Sequence, residues 1–216
     1  MSKPEYLFDA AEKPDLPLYN VPLIVATEET VDGYGSMINH PDDHDIEIVQ
    51  WPAQGWRSVD DDNGNEAGWV EGTFSAYWQG DVLFGENDAV GGHYVLGWSV
   101  LPQRAQLDTS GGNRSQVLLW HMNYHPDGGQ LFMPLQRKPF IVPVALPGDD
   151  LAPEHIVALW FDGSKGLYIH PNIWHEGVFP ANEKQQFLDR QGRVHARVSC
   201  DLGQEFGFYF ACPLMP

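Results

Sequence analysis

The chain has 216 residues, 43% of them hydrophobic, which is enough for one domain with a sizeable core. A formal net charge of −18 argues against nucleic acid and anionic membrane surfaces as partners, but not against a small anion held in a locally basic pocket. The two cysteines, Cys200 and Cys212, have no metal-binding spacing, the first twenty residues lack an apolar signal stretch, and no run is long enough to span a bilayer. These features predict a cytoplasmic protein with two buried thiols, a single disulfide being the alternative.

In chain order, SKPEYLFDAAEK predicts at most a turn or two of helix. The segment 29–51 leads into the main domain, with GYG as a tight turn and HPDDHD as a solvated loop. His40 and His44 stand four apart in that loop, but its prolines and aspartates disfavour the helix that metal spacing would need, so both read as surface histidines. Strand-like runs follow at 46–51, 72–79, 93–100, 116–122, 139–146, 155–161, 166–170, 197–202 and 206–212. Turn clusters separate them: DDDNGNEAG, QGD, GENDAVGG, DTSGGN, HPDGG, LPGDD, DGSKG and DRQGR. No long window keeps the i, i+3, i+4, i+7 spacing of an amphipathic helix. Short aromatic-rich strands between regular turns predict an all-β sandwich or barrel of the jelly-roll kind. The chain reads as one domain over 1–216: an N-terminal arm (1–45), first-half strands (46–115) and a motif-bearing half (116–216).

Two stretches concentrate chemistry. One is LLWHMNYHPDGGQLFMPL (118–135), the other FDGSKGLYIHPNIWHEGVF (161–179). Each joins a strand to a turn and carries histidines. Residues two apart on a strand share a face, so His170 goes with Tyr168, and His121 goes with His125 if their strand is regular. His125 and Gln130 flank the turn PDGG. His121, His125, Gln130 and His170 thus form a candidate metal set of neutral N and O ligands. An amide brings no charge to offset a cation, and His121 and His175, next to Trp120 and Trp174, read equally well as hydrogen-bonded core residues.

Together the stretches resemble the two half-motifs of a cupin. HPDGGQLFMPL, PFIVPVALPGDDLAP and LWFDGSKGLYIHPNIWHEGVF, with RVSCDLG and GYGSMINHP more weakly, resemble the ureidoglycolate lyase family over about 116–180. The resemblance implies a cupin-like β-barrel that eliminates urea from ureidoglycolate to give glyoxylate, in purine-derived allantoin breakdown. It implies a pocket lined by His125, Gln130, His170, His175 and Asp201, with His125 and His170 as acid and base, and a divalent metal such as nickel held loosely if at all. The substrate carboxylate needs a cation, for which Arg104, Arg137, Lys138 and Arg197 are the candidates. The family usually shows a histidine where Glu176 stands, which makes Glu176 a candidate base or metal carboxylate. It also usually has a basic residue soon after the Met-Pro pair, where this chain has Leu135 and Gln136. A relative acting on another small ureido or 2-hydroxy acid, a metal-dependent cupin oxygenase or isomerase, and a non-catalytic ligand-binding barrel are the alternatives. Cupin-like domains often pair through edge strands, and Trp69, Phe74, Tyr77, Trp78 and Phe84 are the candidate seam of a homodimer.

Overall fold

The computed structural model describes residues 13–60, 68–109, 114–194 and 196–216. The elements run β1 (Leu18–Asn20), β2 (Leu23–Val25), α1 (Glu28–Val31), β3 (Gly35–Ile38), β4 (Trp69–Gln79), β5 (Val82–Asn87), β6 (Gly92–Trp98), β7 (Gln116–Leu119) and β8 (His121–Tyr124). They continue with β9 (Gln130–Pro134), β10 (Phe140–Ala145), β11 (Val157–Phe161), β12 (Gly166–Ile169), β13 (Trp174–His175), β14 (Phe179–Pro180), β15 (Lys184–Gly192), β16 (Val198–Asp201), α2 (Leu202–Phe206) and β17 (Tyr209–Pro213). The all-β expectation holds: the two α-helices among the described residues are single turns, one closed by the Thr27–Thr30 capping box, the other by Asp201 at its start and a left-handed Gly207 at its end.

The strands form two sheets. The larger has ten strands in the order β1-β17-β7-β6-β5-β4-β15-β9-β12-β3; the smaller has seven, β16-β8-β13-β10-β11-β2 with β14 beside β10. Neither order closes on itself, so the expected barrel is replaced by two open sheets. Closure would require the ends of each order to pair; instead β1 joins β17 and β2 joins β11, both in parallel. The chain crosses from one sheet to the other at Val21 and Pro22, and this arm extends an edge of each.

The inner faces meet over an aromatic core. Phe187 of β15 packs on Phe140 of β10 across the gap at 5.1 Å between ring centroids, and Phe74 and Phe132 are equally buried. Each such ring removed from water contributes roughly 2 kcal/mol. The outer face of the large sheet has its own small cluster, Ile38, Ile46, Leu131 and Tyr168.

Several expected boundaries move. The run 116–122 breaks at Trp120: β7 lies in the large sheet and β8 in the small one. The run 46–51 makes only an isolated bridge, Ile48 to Gly128. The run 206–212 starts inside α2, and most of DRQGR and part of GENDAVGG are strand, in β15 and β5. The expected turn of helix over 2–13, apart from Lys13, lies outside the described residues, as do most of DDDNGNEAG and of DTSGGN. Of the proposed seam, Phe74, Trp78 and Phe84 are buried within the chain, so they have no surface to offer a partner, whereas Trp69 is 47% exposed. Cys200 and Cys212 are both buried and unpaired. No helix among the described residues is long and apolar enough to cross a membrane.

Candidate active site

On β8, His121 and Asn123 point inward by strand alternation, and His125 continues the same face just past the strand end. Asn123 is the direct partner of His175 on β13, so their side chains share that inner face. The turn before β13 depends on Asn172, whose φ of 67° is one that asparagine tolerates better than most side chains. The N–H of Asn172 donates to the His125 carbonyl at 3.0 Å, which ties the two histidine stretches together. Gly177 lets the next residues pass close to the large sheet: a Cβ there would lie 2.8 Å from the Phe74 ring.

The ring centroids of His125 and His175 are 5.1 Å apart. His125 Nδ1 donates to the Ala196 carbonyl at 2.8 Å, which leaves Nε2 as the basic nitrogen of the neutral ring. His175 Nδ1 likewise donates to the Ile173 carbonyl at 2.8 Å. Its Nε2 lies 3.0 Å from Oε1 of Gln130, which reaches across from β9 of the large sheet. Gln130 Nε2 in turn donates to Asp189 Oδ1 on β15 at 2.8 Å, and Asn87 Nδ2 on β5 donates to Asp189 Oδ2 at 2.8 Å. The Asn87 amide is fixed in that sense because its Oδ1 accepts the N–H of Ala89 at 2.9 Å.

This chain of contacts carries a proton. An unprotonated His175 Nε2 facing an amide oxygen would set two acceptors against each other. Two arrangements cure that with the same heavy-atom positions. In one, His175 is an imidazolium and Asp189 a carboxylate. In the other, Asp189 is protonated and donates to the amide oxygen, and the amide turns its NH2 toward His175. Burial favours the second. It lowers the His175 imidazole below its ordinary value, and it raises the Asp189 carboxyl to about 7 despite the hydrogen bonds from Gln130 and Asn87, which pull the other way.

Beside this chain, His121 Nδ1 is 2.7 Å from Glu176 Oε2, and Glu176 Oε1 accepts the N–H of Gly177 at 2.9 Å. Burial, with the nearby charges of Glu176 and Asp189, holds the Tyr94 phenol well above its ordinary value, and Arg197 acts on it in the opposite sense. Arg197 lies two residues before Ser199, the cross-strand partner of Asn123, and so stands at the margin of the inner network. It pairs with Asp60 at 3.3 Å and keeps 46% of its side chain exposed.

The other predicted site residues lie elsewhere. His170 follows Ile169, which faces inward; its own ring stands edge-on to Tyr168 at 5.5 Å, and Tyr168 stacks on His44 at 4.0 Å on the outer face. His44 is thus partly covered, while His40 is exposed and caps a turn over 41–43. Asp201 caps α2 and pairs with Lys13 at 3.5 Å. Arg104, Arg137 and Lys138 are exposed on the β6–β7 and β9–β10 connections. The proposed metal set does not fit. His121 is held by Glu176, Gln130 by His175 and Asp189, and His170 belongs to the outer face, and no three His, Cys, Asp or Glu side chains among the described residues are grouped to hold an ion.

Sequence reasoning missed Asn87, Asn123, Asp189 and Gln191. For Asp189 and Gln191 the signal was the period-two run Gln185, Phe187, Asp189, Gln191, every member of which is buried.

Comparison with known proteins bears on the same half of the chain. Residues 103–202 match the family model described as ureidoglycolate lyase, which bears out the resemblance carried by the motifs. The ureidoglycolate lyase of Stutzerimonas stutzeri is 40% identical over 70 residues, covering 32% of this chain and 41% of that protein. That of Azotobacter vinelandii is 37% identical over 79 residues, or 36% and 46% of the two chains. That of Pseudomonas paraeruginosa is 39% identical over 70 residues, or 32% and 41%. The chain thus spans less than half the length of these relatives.

Proposed function

We propose that the inner network is the active site of a lyase that releases urea from ureidoglycolate and leaves glyoxylate. The observation that carries this reading is the His125–His175 pair, buried between the sheets inside the segment that matches the family. The two-sheet sandwich is then an open variant of the cupin-type jelly roll that the family resemblance implies.

Ureidoglycolate bears a hydroxyl and a ureido nitrogen on one carbon, beside a carboxylate. Its cleavage needs the hydroxyl proton removed as the carbonyl forms, and a proton placed on the departing nitrogen as the C–N bond breaks. One imidazole can do both, because the two positions are separated by a single carbon. His125 takes the O–H proton on Nε2 and returns it from the imidazolium to the nitrogen of the leaving urea. The Ala196 carbonyl keeps the ring in the tautomer that makes Nε2 basic. His175, locked through Gln130 to Asp189, fixes the neighbouring wall. Arg197, at the margin with a half-exposed guanidinium, is the cation best placed for the substrate carboxylate.

The test is urea and glyoxylate release from ureidoglycolate by the purified chain, against spontaneous decay. Turnover that depends on His125 is expected. A rate no higher than the uncatalysed one removes this function.

A further inference from the structure

Three polar atoms on the inner face have no hydrogen-bond partner among the described residues: Asn123 Oδ1, and both Oε1 and Nε2 of Gln191. Both residues are deeply buried, with Gln191 1% exposed and Asn123 8%. Side-chain polar atoms so enclosed are ordinarily satisfied, so three together call for an account. Three further unpartnered atoms take no part in it: Gln185 Oε1 at the far end of β15, Trp160 Nε1 on β11, and Asp127 Oδ1, whose carboxylate lies on the outward side of Gly192 near Ile48.

Their placement is ordered. Asn123 is the cross-strand partner of His175, and Gln191 is the cross-strand partner of Gln130. His175 and Gln130 make the contact that joins the two sheets. The unpartnered amides therefore flank that contact, one from each sheet.

The chemistry of the three atoms is specific. Two are oxygens that accept, and one is an amide nitrogen that donates. A terminal ureido group, –NH–CO–NH2, presents three N–H donors and one carbonyl acceptor in a plane. We propose that Asn123 and Gln191 form the subsite for that ureido group, so that the site selects ligands by their urea end. This rests on the proposed function and deepens it. Gln191 Nε2 donates to the urea oxygen, and the two oxygens receive urea N–H groups.

Calorimetric titration of the full chain tests this with three small acids. Ureidoacetate has the ureido group and no hydroxyl, N-acetylglycine lacks the terminal NH2, and oxalate has neither. Ureidoacetate is expected to bind at least about tenfold more tightly than N-acetylglycine, since N-acetylglycine leaves buried acceptors unpaired. Gln191→Leu is expected to remove that preference while oxalate affinity stays within about twofold. Gln191→Glu, which keeps an acceptor and loses the donor, is expected to fall between, and replaces the leucine variant if circular dichroism shows that one unfolded. Equal binding of ureidoacetate and N-acetylglycine by the unaltered chain, no detectable ureidoacetate binding, or equal losses for all three acids on substitution would each overturn the subsite. The two readings fail separately. If ureidoglycolate is not turned over but ureidoacetate binding depends on Gln191, the reaction falls and the subsite stands. If turnover is normal and Gln191→Leu changes neither ureidoacetate affinity nor KM, the subsite falls and the reaction stands.

Discussion

Two histidine clusters, built partly from the same short stretch of chain, lie on opposite faces of the large sheet. His175 sits between the sheets with His125, Gln130 and Asp189, where contacts are polar, buried and mutually dependent. His170, five residues earlier, sits with Tyr168 and His44 on the outer face, beside Ile38, Ile46 and Leu131. The difference is one of strand parity. Ile169 is paired with Gln130, so both face inward, and the next residue is turned out. Proximity in sequence therefore says little about a shared site, and the two clusters should respond differently when disturbed.

The largest contrast is expected in activity. His125→Ala removes the proposed proton carrier and should lower kcat/KM for ureidoglycolate by about 10²–10⁴, the usual contribution of a positioned acid–base group. A loss below tenfold would move the chemistry to another residue.

A second expectation is a pH-dependent stability carried by the inner cluster. The Asp189 carboxyl is raised from 3.8 to about 7, so the fold penalises its ionised form. Its contribution is most favourable below the unfolded value and is lost as pH rises through about 7, a total swing on the order of 4 kcal/mol for a shift of this size. Asp189→Asn removes that dependence. Urea midpoints at about pH 5 and pH 8 should therefore show the variant gaining on the unaltered protein at the higher pH. A gap that does not change with pH would mean that Asp189 titrates normally.

Smaller effects mark the margins. Arg197→Met should raise KM about tenfold with kcat within about threefold, as expected for a group that holds the substrate carboxylate in ground and transition states alike. His170→Ala should change kcat/KM by less than about threefold and cost at most about 1 kcal/mol for its edge-on contact with Tyr168. A loss at His170 as large as that at His125 would erase the distinction between the faces.

Much of the architecture was legible in residue order. Runs such as FIVPVA and VALWF are apolar throughout, as strands buried on both faces must be, and their boundaries came out within a few residues. The motif stretches, with His125, Gln130 and His175, also stood out, because histidines beside glycine-rich turns are rare in a plain core. The strand Lys184–Gly192 did not stand out. Its inward positions after Gln185 and Phe187 are Asp189 and Gln191, and a strand whose buried face is polar reads as a loop. The break at Trp120 was hidden too, since LLWHM is one apolar run whether or not its halves join different sheets.

Composition, alternation and turn residues by themselves determined an all-β chain and the histidine-bearing stretches, because burial and backbone geometry act on neighbours along the chain. Which of those histidines lie side by side, which amides are left without partners, and whether the sheets close were decided only in three dimensions. Strand register and facing depend on contacts between residues such as His175 and Gln130, forty-five positions apart, and no local preference encodes them.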